Sequence, residues 1–262
     1  MKGELVTVGD TALHVVRHGE GAPLLFLVGL GGRADFWAPQ FARFANRDCI
    51  SFDHRARGDS IPSDVTQTVR VLAEDALRLL DALRIERLDI VGHSLGGAIA
   101  QHLAVQAPER VTRLLLSASW AGPTPYFTDL FALRKDVLRT LGPAAYLTQG
   151  AMLGNPGWHN AAGWPAQAAD IANRAAAFHG VEIELQRMDA VTAHDLRAAL
   201  PDITAPCGVI CAQDDAITPL PLSEELAALI PRARLSILDS GNHFAPATVP
   251  DAWAAAARGF LA

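Results

Sequence analysis

The chain has 262 residues, of which 50% are hydrophobic and 19% charged, and its formal net charge is −6 at pH 7. This length lies between one large domain and two small ones and allows a sizeable buried core. The acidic balance argues against nucleic acid and membrane as partners, because both attract basic surfaces. The opening residues MKGELVTVGD lack the apolar core of a signal peptide, and no run has the roughly 18 apolar residues of a membrane helix.

Strand and helix patterns alternate along the chain. The runs 4–8 and 12–18, on either side of Gly9 and Asp10, predict an antiparallel hairpin. Six more short apolar runs predict buried strands: 24–29, 49–53, 88–92, 113–119, 207–212 and 234–239. Apolar residues at helical spacing predict helices over 34–45, 69–83, 96–106, 220–230 and 249–261. This order predicts an α/β fold with a mostly parallel, eight-stranded sheet and helices on both faces.

Residues 122–200 interrupt the alternation, because they contain no convincing buried strand. They are rich in alanine and punctuated by five prolines. A structureless loop of this length is uncommon in a compact domain. The sequence therefore predicts a helical cap over 122–200, inserted into a core that consists of 1–121 and 201–262.

The three cysteines, Cys49, Cys207 and Cys211, are interpreted as unpaired thiols. Two of them lie in the apolar run CGVICA, where buried thiols are more common than a disulfide or a metal pair. We expect a reducing, cytoplasmic location.

The sequence IVGHSLGGAIAQ (90–101) places Ser94 where a predicted strand turns into a predicted helix. The spacing G-x-S-x-G, with Gly92 and Gly96, is typical of a nucleophile elbow, in which a strained serine is exposed above the sheet. The N-terminus of the following helix favours negative charge, and the N–H group of Leu95 is a candidate oxyanion donor. Ser94 is therefore the candidate nucleophile.

A serine nucleophile needs a base, which an acid orients in turn. His243, in LDSGNHFAP, follows the last predicted strand and is the candidate base, whereas His93 is interpreted as a packing residue. The run CAQDDAITP offers Asp214 and Asp215 as the acid, and the order serine, aspartate, histidine fits this architecture.

The motifs GHSLGG, DDAITP, GNH and DHRARGDS together resemble the α/β-hydrolase superfamily over nearly the whole chain. The resemblance implies a catalytic triad that needs no metal or organic cofactor. Its usual D-x-x-T-P pattern selects Asp215, with Thr218 and Pro219, as the acid. It also implies a second oxyanion donor, the backbone N–H of Leu30 in LFLVGLGGRADFW, although Val28 occupies the position of a common histidine.

Two families within the superfamily are similar in finer detail. The glycine loop VGLGG and the stretch 177–231 resemble the aminoacrylate hydrolases of pyrimidine utilisation, and the 3-oxoadipate enol-lactonases are also similar. These resemblances imply hydrolysis of a small ester, lactone or enamine-type substrate. Candidate substrate contacts are Gly29, Arg33, Trp120, Trp158 and His179, with Trp164, His159, Phe178 and Arg187 as further candidates.

Other functions stay open at this point. The same triad serves general carboxylesterases and carbon–carbon hydrolases of diketones, and a non-catalytic receptor could keep the fold. A complete triad favours an enzyme over a receptor. The residues do not distinguish an acyl-enzyme from direct activation of water, and they allow either a monomer or a homodimer.

Overall fold

The computed structural model describes residues 3–262, and an eight-stranded sheet runs through them in the order β1-β2-β4-β3-β5-β6-β7-β8. The strands are β1 Glu4–Val8, β2 Thr11–His18, β3 Ala22–Leu27, β4 Arg47–Phe52, β5 Leu88–His93, β6 Val111–Ser117, β7 Cys207–Ala212 and β8 Arg234–Leu238. The β1–β2 and β2–β4 pairs are antiparallel, and the other pairs are parallel. The predicted α/β fold with a mostly parallel sheet is confirmed.

Helices cover both faces of the sheet, and most of the predicted helices are present. Their bounds are α1 Ala38–Phe41, α2 Val69–Ala82, α3 Leu95–Gln106, α4 Pro125–Gly154, α5 Gly157–Ala176, α6 Val181–Ala193, α7 Leu220–Leu229, α8 Ala245–Thr248 and α9 Pro250–Leu261. The predicted helix over 34–45 is instead three short pieces, with 3₁₀ turns over Ala34–Trp37 and Ala42–Phe44. Because Pro39 has no N–H group, it cannot donate the α-helical hydrogen bond to the Asp35 carbonyl. The N–H of Ala38 donates to that carbonyl instead, which is a 3₁₀ hydrogen bond.

Alternating side chains of the central strand β3 serve the two faces of the sheet. Leu25 and Leu27 belong to the core under α2 and α3. Leu24 and Phe26 belong to the opposite core, which α1 and α9 cover. All four side chains are fully buried, and each contributes about 1.5–3 kcal/mol of hydrophobic free energy. This packing fixes β3 and its neighbour β5, at whose ends the candidate site lies.

Three helices, α4 to α6, lie between β6 and β7. Gly142, with φ 81° and ψ −178°, bends α4 beside Pro143, whose ring is incompatible with a straight helix. The segment is attached to the loops after the strands, because the Phe244 N–H donates to the Gly154 carbonyl at 2.9 Å. The Tyr126 hydroxyl also donates to the Ala216 carbonyl, at 2.6 Å.

The three cysteines are buried and unpaired. Burial raises the pKa of each thiol to about 12, so each is a neutral core group. Within residues 3–262, no helix is both long and apolar enough to cross a membrane.

The packing of β3 predicts the effect of a large-to-small substitution. Phe26 contacts the rings of Trp37, Phe41 and Phe44 at centroid distances of 5.0, 5.5 and 5.6 Å. Phe26→Ala is expected to lower the free energy of unfolding by about 3–5 kcal/mol, measured by urea denaturation. Leu5→Ala is the control, because Leu5 is 55% exposed and its loss should change stability by less than about 0.5 kcal/mol. Equal effects of the two substitutions would contradict this packing.

Candidate active site

Ser94 occupies a strained turn between β5 and α3. Its backbone has φ 54° and ψ −120°, in a region that residues with a side chain rarely adopt. The Ser94 N–H donates to the carbonyl of Ser117 on the neighbouring strand β6, at 2.9 Å. The turn therefore holds the serine directly above the carboxyl end of the sheet.

The glycines around Ser94 are required because backbone atoms lie against them. A Cβ atom at Gly92 would lie 2.4 Å from the Gly96 carbonyl oxygen. One at Gly96 would lie 2.3 Å from the carbonyl oxygen of Leu27. Neither backbone atom can move without displacing a strand or a helix. Close packing of α3 on β3 and β5 thus explains the glycine pattern.

The loop after β3 lies beside the serine. A Cβ atom at Gly29 would be 3.1 Å from the Ser94 Cβ atom, which places the two backbones in close approach. The Gly32 N–H closes a turn on the Gly29 carbonyl at 3.2 Å. Arg57 fixes the loop from outside, because its Nη2 donates to the Gly31 carbonyl at 2.8 Å. Leu30 lies within this turn.

Leu95, the other candidate oxyanion donor, is the first residue of α3. The first N–H groups of a helix have no intrahelical acceptor and carry partial positive charge. The sequence-derived pair of donors therefore comes from the loop after β3 and from the N-terminus of α3, both of which adjoin Ser94.

His243 and Asp215 form a buried pair. His243 Nδ1 lies 3.0 Å from Oδ2 and 3.2 Å from Oδ1 of Asp215. The carboxylate also accepts the N–H groups of Ile217 and Thr218 and the Thr218 hydroxyl, each at 2.8 Å. These bonds fix the carboxylate, and the carboxylate fixes the imidazole ring. Only 4% of Asp215 and 2% of His243 are exposed.

The neighbouring Asp214 has a different contact. Its carboxylate accepts the N–H group of Asn242 at 2.8 Å, and the Asn242 side chain accepts the N–H group of His243 at 2.8 Å. Asp214 therefore anchors the loop that carries His243, whereas Asp215 touches the imidazole itself.

No hydrogen bond joins Ser94 to His243 within the part of the chain that the structure describes. Their proximity is indirect: the rings of His93 and His243 are 5.0 Å apart, and the His93 ring stacks on Phe36 at 5.5 Å. Burial, together with the nearby His243, lowers the pKa of His93 well below its usual value. His93 is thus a neutral packing residue in the structure. The missing bond between Ser94 and His243 is compatible with catalysis, because catalytic hydrogen bonds in unliganded enzymes are often long.

A cavity of about 470 Å³ opens between the loop after β3 and the helices α4 to α6. Leu30 lines it, as does Phe244, which follows His243. Its lining also includes Gly31, Phe36, Arg134, Tyr146, His159, Asp170, Arg174 and Glu184. The cavity does not reach Ser94, Asp215 or His243 themselves. It adjoins the candidate triad, because Phe244 follows His243 and Leu30 follows Gly29, which lies beside Ser94.

Four of the five candidate substrate contacts lie elsewhere, and Gly29 alone lies beside Ser94. Trp120 is buried against Phe127 at 4.8 Å, and Trp158 is 54% exposed. The ring of His179 bonds the Gly58 carbonyl at 2.7 Å, and the half-exposed Arg33 lies near Asp35 and Asp59. None of these four lines the cavity. Trp158, in α5, is directed to solvent, whereas Trp120, in the loop between β6 and α4, is buried in the core.

The cavity has polar walls that the sequence did not indicate. Arg134 and Tyr146 of α4 and Glu184 of α6 line it, and only His159 among the further candidates does so. Nothing in the sequence distinguishes the buried Arg134 from Arg139, five residues later in the same helix and half exposed. The bend at Gly142 and the packing of three helices decide which side chains face inward.

One group in residues 3–262 has donor atoms close enough to bind a metal ion, namely His14, Asp53 and Asp59. The Asp53 carboxylate is already occupied, because it accepts the N–H groups of Ala34 and Asp59 at 2.7 and 2.9 Å and lies 3.1 Å from His14 Nδ1. These bonds tie the turn after β4 to the loop after β3, which is a structural role.

A parallel sheet with a strained serine after β5 and a buried histidine–aspartate pair after β7 and β8 defines a class of hydrolytic enzymes. Residues 22–248 match the alpha/beta hydrolase fold family, and the chain belongs to it. It is a hydrolase; a nucleophile elbow, a triad and an oxyanion hole are typical of this fold.

The chain is similar to proteins provisionally named carbamate hydrolase RutD. The protein from Azorhizobium caulinodans is 36% identical over 96% of this chain and 96% of its own. The protein from Pseudomonas savastanoi pv. phaseolicola is 33% identical over 91% and 93%. Among solved structures, the enol-lactonase from Burkholderia xenovorans LB400 superimposes with a TM-score of 0.89, at 26% identity over 98% of this chain and 99% of that one. The predicted superfamily is confirmed.

Replacement of glycine by alanine is expected to have opposite effects on stability in the elbow and in α9. Gly96→Ala places a methyl group against the Leu27 carbonyl and is expected to lower the free energy of unfolding by about 3 kcal/mol or more. Gly259→Ala, at an open position in α9, is expected to raise it by up to about 1 kcal/mol. Thermal and urea unfolding measure both. A harmless Gly96→Ala substitution would contradict the close approach of α3 to β3.

Proposed function

We propose that the protein is a serine hydrolase with the triad Ser94, His243 and Asp215, acting on a small ester, lactone or enamine-type molecule. One observation carries the proposal: a buried carboxylate holds His243 through Nδ1 at the same end of the sheet as the strained Ser94. Such an arrangement leaves Nε2 as the nitrogen available to the serine hydroxyl. The loop bearing Leu30 and the N-terminus of α3 at Leu95 support an oxyanion hole beside it.

In the proposed reaction of an ester or lactone, His243 accepts the proton of the Ser94 hydroxyl while the serine oxygen attacks the substrate carbonyl carbon. The N–H groups of Leu30 and Leu95 hold the resulting oxyanion, each with about 3–4 kcal/mol of transition-state stabilisation. His243 then gives its proton to the leaving group, and a water molecule that it activates releases the acyl group from Ser94. Asp215 keeps the ring in the orientation that both proton transfers need.

The same proposal assigns residues 122–200 as a cap that selects the substrate. The position of α4 to α6 over the cavity supports this assignment. A cytoplasmic location is part of the proposal, on the basis of three unpaired cysteines. A homodimer remains a prediction from composition.

Two substrates are candidates, and both release ammonia. The sequence resemblance points to aminoacrylate, whose hydrolysis yields malonic semialdehyde and ammonia. The names of the relatives from Azorhizobium and Pseudomonas point to a carbamate, whose hydrolysis yields bicarbonate and ammonia. A coupled ammonia assay with each compound therefore ranks the two candidates directly.

The paired aspartates provide the matched test of the triad. With p-nitrophenyl acetate at pH 7.5, Ser94→Ala is expected to abolish turnover. Asp215→Asn is expected to lower kcat by about 10⁴-fold, because the imidazole then adopts the wrong tautomer. Asp214→Asn removes only an anchor of the loop and should retain most of the activity. Release of p-nitrophenolate measures all three.

Full activity of Ser94→Ala, or equal losses in the two aspartate variants, would contradict the assigned triad. If the wild type does not cleave the ester at all, the ammonia assay with the same variants applies the same criterion.

A further inference from the structure

Arg134 is a buried cation, and in the described part of the chain two of its three guanidinium nitrogens have no acceptor. Only 7% of its surface is exposed, and its Nε and Nη1 atoms have no hydrogen-bond partner among the residues that the structure describes. Its neighbours are aromatic, because Cζ lies 4.7 Å from the ring centroid of Tyr146 and 5.8 Å from that of Phe131. Stacking on aromatic faces stabilises the charge partly but leaves the N–H groups unsatisfied.

This guanidinium belongs to the wall of the cavity. Arg134, Tyr146 and Gly150 of α4 line the same space as Leu30 and Gly31, next to the proposed oxyanion loop. A buried polar group without a partner is unfavourable, and a charged one more so. Such a group is expected where a ligand supplies the missing acceptor.

The surroundings of Arg134 carry an excess of positive charge. The Tyr146 hydroxyl donates to Glu184 at 2.8 Å, and Glu184 pairs with Arg57 at 3.4 Å. Arg187 is also fully buried, and its Nε and Nη2 atoms lack partners in the described part of the chain. Burial, followed by the charge of Arg57, lowers the pKa of Arg187 to about 10, which leaves it protonated at neutral pH.

Arg57 and Arg187 lie behind the lining, and both interact with the carboxylate of Glu184. The remaining charged residues of the lining, Asp170 and Arg174, pair with each other at 2.8 Å and cancel. Among the described lining residues, Arg134 is thus the arginine without a carboxylate partner, and this favours an anionic ligand.

We propose that Arg134 is a specificity-determining residue that binds a carboxylate of the substrate, at a position remote from the bond that is hydrolysed. The inference rests on the proposed function, since it places the reacting carbon beside Leu30 and the carboxylate at Arg134. Of the two candidates it favours aminoacrylate, because the carboxyl carbon of a carbamate is itself the reacting atom. A guanidinium matches a carboxylate in shape and donor geometry. Glu184 in the same wall disfavours a phosphate dianion, so the preferred substrate is a small monocarboxylate.

Two nearly isosteric methyl esters test the inference. Monomethyl succinate carries a carboxylate, whereas methyl succinamate carries a neutral amide in its place. The wild type is expected to hydrolyse the anion with a kcat/KM about ten- to a hundred-fold higher, the range of a hydrogen bond to a charged group. Arg134→Met should remove most of that preference by lowering kcat/KM for the anion alone.

Two further variants separate charge recognition from a structural role. Arg134→Lys keeps the charge and should retain part of the preference for the anion, which a structural role would not explain. Arg139→Gln is the matched control on the same helix, because Arg139 is half exposed and lies 3.7 Å from Asp136. It should leave the ratio of the two kcat/KM values unchanged.

Binding to the Ser94→Ala variant is measured by calorimetry with the same two esters. Tighter binding of monomethyl succinate, lost when Arg134→Met is added, supports the carboxylate site even if the wild type cleaves neither ester. The ammonia assay with Ser94→Ala then decides the proposed function separately. Equal binding of the two esters, binding of neither, or an equal loss of both activities in Arg134→Met overturns the assignment of Arg134.

Discussion

The left-handed backbone at Ser94 is the constraint on which the rest of the site depends. Holding a residue with a side chain at φ 54° costs about 1–3 kcal/mol, and the surrounding structure must offset this. It does so by packing α3 so closely on β3 and β5 that only glycine fits at positions 92 and 96. The strain has a function in the proposal, since it directs the hydroxyl out of the sheet and leaves the first N–H groups of α3 free.

The histidine loop is built differently, from hydrogen bonds more than from strain. Asp215 accepts three bonds from its own turn before it reaches His243, and Asp214 fixes the loop from the other side through Asn242. Two adjacent aspartates thus have separate tasks. Packing fixes the Ser94 turn, and the hydrogen bonds of Asp214, Asp215 and Asn242 fix the His243 loop. A proton can move between two such fixed points with little rearrangement.

The cavity wall contrasts with the histidine loop, because Nε and Nη1 of Arg134 have no hydrogen-bond partner among the described residues. Arg134 and Arg187 lie in helices of the inserted segment, while Arg57 connects that segment, through Glu184, to the Gly31 carbonyl of the loop after β3. Arg57 therefore joins Glu184 of the cavity wall to the loop after β3.

The sequence predicts the sheet and the serine turn well, because both depend on local signals. Short apolar runs mark buried strands, and glycines at fixed spacing around Ser94 mark the close approach of α3. The sequence distinguishes Asp215 from Asp214 only through a resemblance, since the two adjacent residues have the same chemistry. It does not find Arg134 or Tyr146, because their burial depends on the bend at Gly142 and on long-range packing.

The central claim, that Ser94 is a nucleophile activated by His243, is tested most directly by covalent labelling. The protein is treated with a fluorophosphonate, and the modified peptide is located by mass spectrometry in the wild type and in His243→Ala. We expect one label per chain, on Ser94, and a labelling rate that falls by orders of magnitude in the variant. A label on another residue, or an equal rate on Ser94 without the histidine, would contradict the claim.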